Sequence, residues 1–186
     1  MDNLHLDQHI SQQFNTDLEE LKTQLLEMGG VVEQQLSDAI AAIETADGDL
    51  AEKVLVIENE VDKREVALDE QAIAILARRQ PAASDLRMVL MATKITRDLE
   101  RIGDEAQKIA KMAIALNEEG ESPVTYMMED PRSISRVMNV MWALRSLERI
   151  GDHARNISEH IIFLVKGLDV RHISLKEMKR QVQENP

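Results

Sequence analysis

Lys94–Leu116 reads KITRDLERIGDEAQKIAKMAIAL, and its apolar residues keep one rhythm: Ile95, Leu99, Ile102, Ala106, Ile109, Ala113 and Leu116. Steps of three and four residues put all seven on one side of a helix with 3.6 residues per turn. Inside this stretch lies LERIGD, Leu99–Asp104, which recurs unchanged at Leu147–Asp152. A six-residue identity forty-eight positions apart marks an internally duplicated unit. Each copy carries two acids four residues apart, Glu100 with Asp104 and Glu148 with Asp152. Each also carries a glycine, Gly103 or Gly151, in a helix interior, where glycine costs roughly 1 kcal/mol against alanine. An acidic pair beside an unfavourable glycine points to a site or to a close helix contact.

The same periodicity extends to both sides of this stretch. Phe14, Leu18, Leu21, Leu25, Met28 and Val32, continued by Leu36, Ile40 and Ile43, predict a long first helix of about eight turns. Gly29-Gly30 within it reads as a bend or a close contact. Ala46–Asp49 supplies turn chemistry, with Asp49 as an N-cap. A second helix follows, with Leu50, Val54, Ile57, Val61, Leu68 and Ile75 on one side, and it ends before Pro81. Ser84 then caps the third helix. A fourth helix, after Pro131, runs through Leu144, Leu147, Ile150, Ala154, Ile157, Ile161 and Leu164 to Gly167. Residues 168–186 are charged and read as a frayed tail. Short connections between the first three helices make them antiparallel neighbours, an up-down-up bundle over residues 11–117.

Composition agrees with an all-α protein. Hydrophobic residues make up 44% of the 186-residue chain, aromatics only 2%, and ten methionines take over core filling. The net charge of −12 argues against nucleic acid, whose phosphates demand an excess of lysine and arginine. There is no cysteine, hence no disulfide or thiolate chemistry. No apolar run approaches the roughly 20 residues that span a bilayer, and MDNLHLDQHI at the N-terminus has no secretory pattern. The expected setting is the cytoplasm.

The carboxylates carry the candidate chemistry. Glu58, Asp62, Glu65 and Asp69 recur at 4,3,4 spacing on the second helix, in a stripe about 60° wide beside the apolar seam. Glu100, Asp104, Glu148 and Asp152 project from the third and fourth helices, away from their main apolar stripes. Two readings stand: a solvated acidic face, or a set of oxygen ligands converging on a hard cation. Such sets suit magnesium, calcium, manganese or iron. Glu58, Asp62, Glu100 and Asp104 would share one surface site, with His153 beside Asp152 a further candidate ligand. A di-iron oxidase needs Glu-x-x-His motifs facing a bundle interior. None of His5, His9, His153, His160 or His172 has a glutamate three residues before it, and His153 and His160 read as polar-face residues. No phosphate-binding glycine loop, nucleophile elbow or His-Glu-x-x-His string occurs.

Several longer strings resemble the PhoU family of phosphate-signalling regulators. They are QPAASDLRMVL (Gln80–Leu90), KITRDLERIGDEAQKIA (Lys94–Ala110), TYMMEDPRSISR (Thr125–Arg136) and LERIGDHARNISEHIIFLVKG with DVRH to His172, supported by ENEVDKREVALDE (Glu58–Glu70). The resemblance implies two three-helix bundles in tandem. It also implies Glu/Asp-x-x-x-Asp motifs with surface metal ions, divalent or of the iron type. On this chain the matching positions are Glu58 and Asp62, Glu100 and Asp104, and Glu148 and Asp152.

The resemblance further implies a non-enzymatic negative regulator of phosphate uptake and of the phosphate-starvation response. Such an adaptor works between the phosphate ABC transporter, through its ATPase subunit, and a sensor histidine kinase. It is a homodimer held at the membrane by its partners, without membrane insertion. The chain departs from the family pattern at Glu121-Ser122-Pro123, which leads directly to Thr125–Met128, the end of the family's fifth helix. The fourth and most of the fifth family helices are therefore missing. Deletion, a gap closed up in the numbering, or a shortened relative would each give this junction. The expected organisation is a first three-helix bundle over 1–120, the last helix of a second repeat over 121–170, and a charged tail over 171–186. The rival readings are a metal-dependent hydrolase or oxidase using the acidic pairs, and a structural bundle without metal.

Overall fold

The computed structural model describes residues 3–79, 81, 83–118 and 132–184. Among them there are five helices and no strand: α1 (Asn3–Thr45), α2 (Gly48–Arg79), α3 (Ala83–Glu118), α4 (Arg132–Lys166) and α5 (Leu175–Glu184). The protein is all-α, with its long helices close to where the periodicity puts them. The junction Glu121–Met128 and the boundary expected at 120–121 lie outside the described residues.

Local chemistry sets the helix ends. Ala46 takes a left-handed φ of 55°, and the Asp47 amide donates back to the Ala42 carbonyl at 3.1 Å, which closes α1. Asp47 then opens α2: its carboxylate accepts from the Leu50 amide at 2.9 Å, and its carbonyl from the Ala51 amide at 3.1 Å. The cap is thus Asp47 rather than Asp49, which lies in the first turn, where its charge complements the helix dipole. Ser84 likewise falls within the first turn of α3 and not before it. Gly29 and Gly30 produce neither a break nor a close contact, since a Cβ on either would meet nothing within 4 Å. The C-terminal segment is a capped helix rather than a frayed tail. Ser174 Oγ accepts from the Glu177 amide at 3.2 Å, and the Ser174 carbonyl from the Met178 amide at 2.9 Å.

The chain forms two compact units, and each draws on α1, α2, α3 and α4. One comprises Met1–Glu27, Arg64–Asp98 and Ala154–Pro186; the other comprises Met28–Lys63 and Leu99–His153. This grouping cuts across the helices rather than following the order of the chain. The first unit buries Leu21, Leu68, Ile75, Val89 and Val170. Arg79 pairs there with Asp17 at 3.5 Å, and Asp98 accepts from Asn156 Nδ2 at 3.3 Å. The second unit buries Met28, Val32, Ala39, Ala42, Val54, Val61, Ile102, Ile109, Ala143 and Ile150. Past Val32 the α1 seam therefore runs through Gln35, Ala39 and Ala42, while Leu36, Ile40 and Ile43 are only half-buried.

The left-handed Ala46 gives a direct test. Its Cβ costs about 1 kcal/mol in that conformation, so Ala46→Gly should raise unfolding free energy by up to that amount. Ala46→Val should lower it. Urea titrations of the three proteins measure both changes.

Candidate carboxylate site

The buried positions of α2 are Ala51, Val54, Glu58, Val61, Leu68, Ala72 and Ile75. Glu58 therefore occupies a turn of the core seam itself, at 4% exposure, rather than a stripe beside it. The outward-facing expectation for the acids fails at this residue. Asp62 and Asp69 are exposed as expected, and Glu65 is half-buried. A buried carboxylate needs a hydrogen-bonding partner, and α1 provides one. Gln35, fully buried, donates from Nε2 to Glu58 Oε2 at 2.5 Å.

Gly103 makes room for this pair. A Cβ there would lie 3.0 Å from Gln35 Oε1, 3.1 Å from Glu58 Oε2 and 3.3 Å from Val61 Cγ1. The glycine of the first LERIGD copy is thus a packing requirement: the polar tips of α1 and α2 rest against the α3 backbone. The acids of the same motif flank it. Glu100 is largely buried, and Asp104 is partly so. Arg101 pairs with Glu100 at 3.3 Å and with Asp104 at 3.2 Å. Burial pushes the Glu58 carboxyl above its ordinary value. The Gln35 hydrogen bond opposes that shift, and the charges of Asp104, Asp62 and Glu100 add to it. Four of the six acids singled out from the sequence are therefore brought together here, Asp62, Glu100 and Asp104 each within electrostatic reach of Glu58.

The second copy is different. A Cβ at Gly151 would meet nothing within 4 Å, and Glu148 and Asp152 are exposed on α4. Two oxygens at the first site, Glu58 Oε1 and Gln35 Oε1, are buried and accept no hydrogen bond. Among the described residues, no three His, Cys, Asp or Glu side chains are already grouped as a metal ion would need. A cation at the first site would require the acidic side chains to turn inward. Their hard oxygen donors and the two unsatisfied oxygens fit such an ion.

Further buried polar groups tie α3 to α4 within each unit, and sequence reasoning does not single them out. In one unit, Glu105 pairs with Lys108 at 2.9 Å and with Arg149 at 3.0 Å. Burial alone would raise its carboxyl. Hydrogen bonds with Lys108 and Ser146, with the charges of Lys108 and Arg149, outweigh that and hold it below the ordinary value. In the other unit, His160 Nε2 lies 3.3 Å from Asp98 Oδ2, both side chains largely buried, so His160 is not a solvated polar-face residue. Burial pushes its imidazole below the ordinary value, aided by Lys94 and Arg171 and opposed by Asp98. The signal for Gln35 was present: continuing the 4,3 rhythm of Leu21, Leu25, Met28 and Val32 gives 35, 39 and 42. The same rhythm after Val54 gives Glu58.

Long helices, a carboxylate set at a helix contact and a duplicated motif define an all-helical protein of the two-repeat, acidic-motif class. The PhoU domain matches this chain twice, over residues 25–113 and 115–161. The chain belongs to the PhoU family. It is 47% identical to the phosphate-specific transport system accessory protein PhoU homolog of Pseudomonas aeruginosa, covering 97% of this chain and 96% of that protein. It is 38% identical to the accessory protein PhoU of Escherichia coli, over 97% and 96% respectively. The P. aeruginosa alignment runs over 233 positions against 186 residues here, so the relative carries residues without a counterpart in this chain. The crystal structure of PhoU from P. aeruginosa superposes with a TM-score of 0.78 at 45% identity, covering 83% of this chain and all of that one. A PhoU from Streptococcus pneumoniae, at 23% identity and a TM-score of 0.74, shares the fold.

Two tests follow from this geometry. Gly103→Ala should cost about 1 kcal/mol net, because crowding of the Gln35–Glu58 pair outweighs the gain in helix propensity. Gly151→Ala should instead gain up to about 1 kcal/mol, so opposite signs in thermal unfolding are the expected result. For His160, the folded state holds fewer protons than the unfolded chain just below pH 6.5. Stability is therefore lost as pH falls through that window. Against His160→Gln, the native protein should lose ground steadily on acidification below pH 6.5, and a difference independent of pH would refute the assignment.

Proposed function

We propose that this chain regulates a phosphate transport system as a non-enzymatic helical adaptor. It restrains phosphate uptake and the phosphate-starvation response by contacting the transporter's ATPase subunit and a sensor histidine kinase on the cytoplasmic side. The observation that carries this reading is the likeness to relatives named as phosphate-transport accessory proteins, extending over 97% of the chain. The family matches enclose all six acids, Glu58, Asp62, Glu100, Asp104, Glu148 and Asp152. Among the described residues no helix is long and apolar enough to cross a membrane, which suits attachment through partners.

The carboxylate site adds a cation to the proposal. Glu58, Asp62, Glu100 and Asp104 would hold a divalent or iron-type ion, which would neutralise the like charges that now raise the Glu58 carboxyl. Gln35 would orient Glu58 through its amide. The role of the ion is to lock α1, α2 and α3 together near Gly103 rather than to perform chemistry. Glu148 and Asp152, exposed on α4, stay outside this site.

In the host, a clean deletion should derepress phosphate-starvation genes, and tagged protein should co-purify with the ATPase subunit and the kinase. Normal repression in the deletion strain would overturn the regulatory reading. For the cation, magnesium, manganese or ferrous ion should raise the melting temperature of the native protein but not of Glu58→Gln. Without metal, Glu58→Gln should be the more stable protein at neutral pH by roughly 1 kcal/mol, because it removes a buried charge while keeping an amide partner for Gln35.

A further inference from the structure

The four acids of the candidate site stand on two helices, Glu58 and Asp62 on α2, Glu100 and Asp104 on α3. α1 contributes a neutral residue instead. It places Gln35, fully buried, against Glu58, the one of these acids that the core encloses. With Glu58 ionised, the amide of Gln35 has one acceptable orientation. Its Nε2 donates to Glu58 Oε2 at 2.5 Å. Turned over, the amide would set its carbonyl oxygen against a carboxylate oxygen, two acceptors with no proton between them.

The carbonyl is therefore the free end of the amide. It is buried with no donor to satisfy it, and so is Glu58 Oε1. A buried acceptor left unsatisfied costs about 1–3 kcal/mol. Two such oxygens on one touching pair call for a common partner, and a cation suits a pair that includes a carboxylate. Gly103 brings both side chains against the α3 backbone, for a Cβ there would lie 3.0 Å from Gln35 Oε1 and 3.1 Å from Glu58 Oε2. The Gln35 carbonyl thus lies at the level of α3 that carries Glu100 and Asp104. Hard divalent ions take roughly six or more oxygens, and the side-chain carbonyl of glutamine is among the kinds they accept. The four acids bring the charge, and a fifth, neutral oxygen fills a further position without adding repulsion.

We propose, resting on the cation reading of this site, that Gln35 is itself a ligand, giving the ion its carbonyl oxygen from α1 while its amide nitrogen holds Glu58. Gln35 and Glu58 are the part of the site already in place, and the more exposed acids complete it by turning inward. Ligation by Gln35 is also what ties α1 to the ion, since the acids alone would join only α2 and α3.

Calorimetric titration of the full-length chain with manganese(II) tests the assignment. Gln35→Met keeps the length of the side chain but offers a soft thioether in place of a hard oxygen, and it should weaken binding by about 10-fold or more. Gln35→Glu exchanges the neutral ligand for an anionic one and should tighten binding by about 10-fold. The opposite signs separate ligation from orientation. An amide that only oriented Glu58 would be lost in both variants, and both would bind more weakly than the native chain. Far-UV circular dichroism with and without manganese(II) accompanies the titration. A Gln35→Glu chain that needs the ion in order to fold shows itself there by refolding on metal addition, which supports ligation equally. Gln35→Glu that neither binds more tightly nor refolds with metal, or Gln35→Met with native affinity, would overturn the role of Gln35 and leave the cation site standing. A native chain that binds no manganese(II) would overturn the cation reading as well.

Discussion

A carboxylate on a core seam constrains everything around it. Glu58 sits between Val54 and Val61 on the buried side of α2, and Gln35 of α1 gives it a hydrogen bond. The pair fits because position 103 of α3 has no side chain. An apolar seam tolerates sliding by a turn at modest expense, but a buried amide–carboxylate contact does not, since a slip would leave both groups unsatisfied. The three residues therefore fix the axial register of three helices at one level. The acids of the candidate site inherit their positions from that register.

The duplicated motif shows that one string of residues acquires different physical roles from its surroundings. In the first copy, glycine is needed for closeness and Glu100 is drawn into a partly buried cluster. In the second, the same glycine faces open space and the same acids are solvated. The difference lies in what packs beside each helix. α3 has neighbours on two sides, α1 and α2 on its seam and α4 through Asp98 and Glu105. α4 meets α3 through Ser146, Arg149, Asn156 and His160.

The helices and their ends were legible because periodicity and proline act locally, and α2, α3 and α4 stop where those signals put them. The PhoU likeness was legible from the motif strings themselves. The burial of Glu58 is encoded by position and obscured by residue type: the 4,3 rhythm passes through Gln35 and Glu58, but a polar side chain on a seam looks by its chemistry like a solvent-facing one. Caps were harder, since Asp47 and Asp49 are both acceptable N-caps by type, and only the left-handed Ala46 before Asp47 decides between them. Asp98 and His160 could not be matched from sequence. Their contact joins residues sixty-two positions apart on different helices, and no local pattern encodes it.

The two-residue connection at Ala46–Asp47 also has a consequence for how the chain folds. Contacts between α1 and α2 are nested around it: Gln35 with Glu58 at a separation of 23, Glu27 with Arg64 at 37, and Asp17 with Arg79 at 62. Once the innermost contact forms, each outer one closes only the small loop left between it and the last, so the entropy of closure is spread over short steps. The hairpin can therefore zip outward from its turn. The polar Gln35–Glu58 pair, nearest the turn and the first to meet, sets the alignment that every later contact follows.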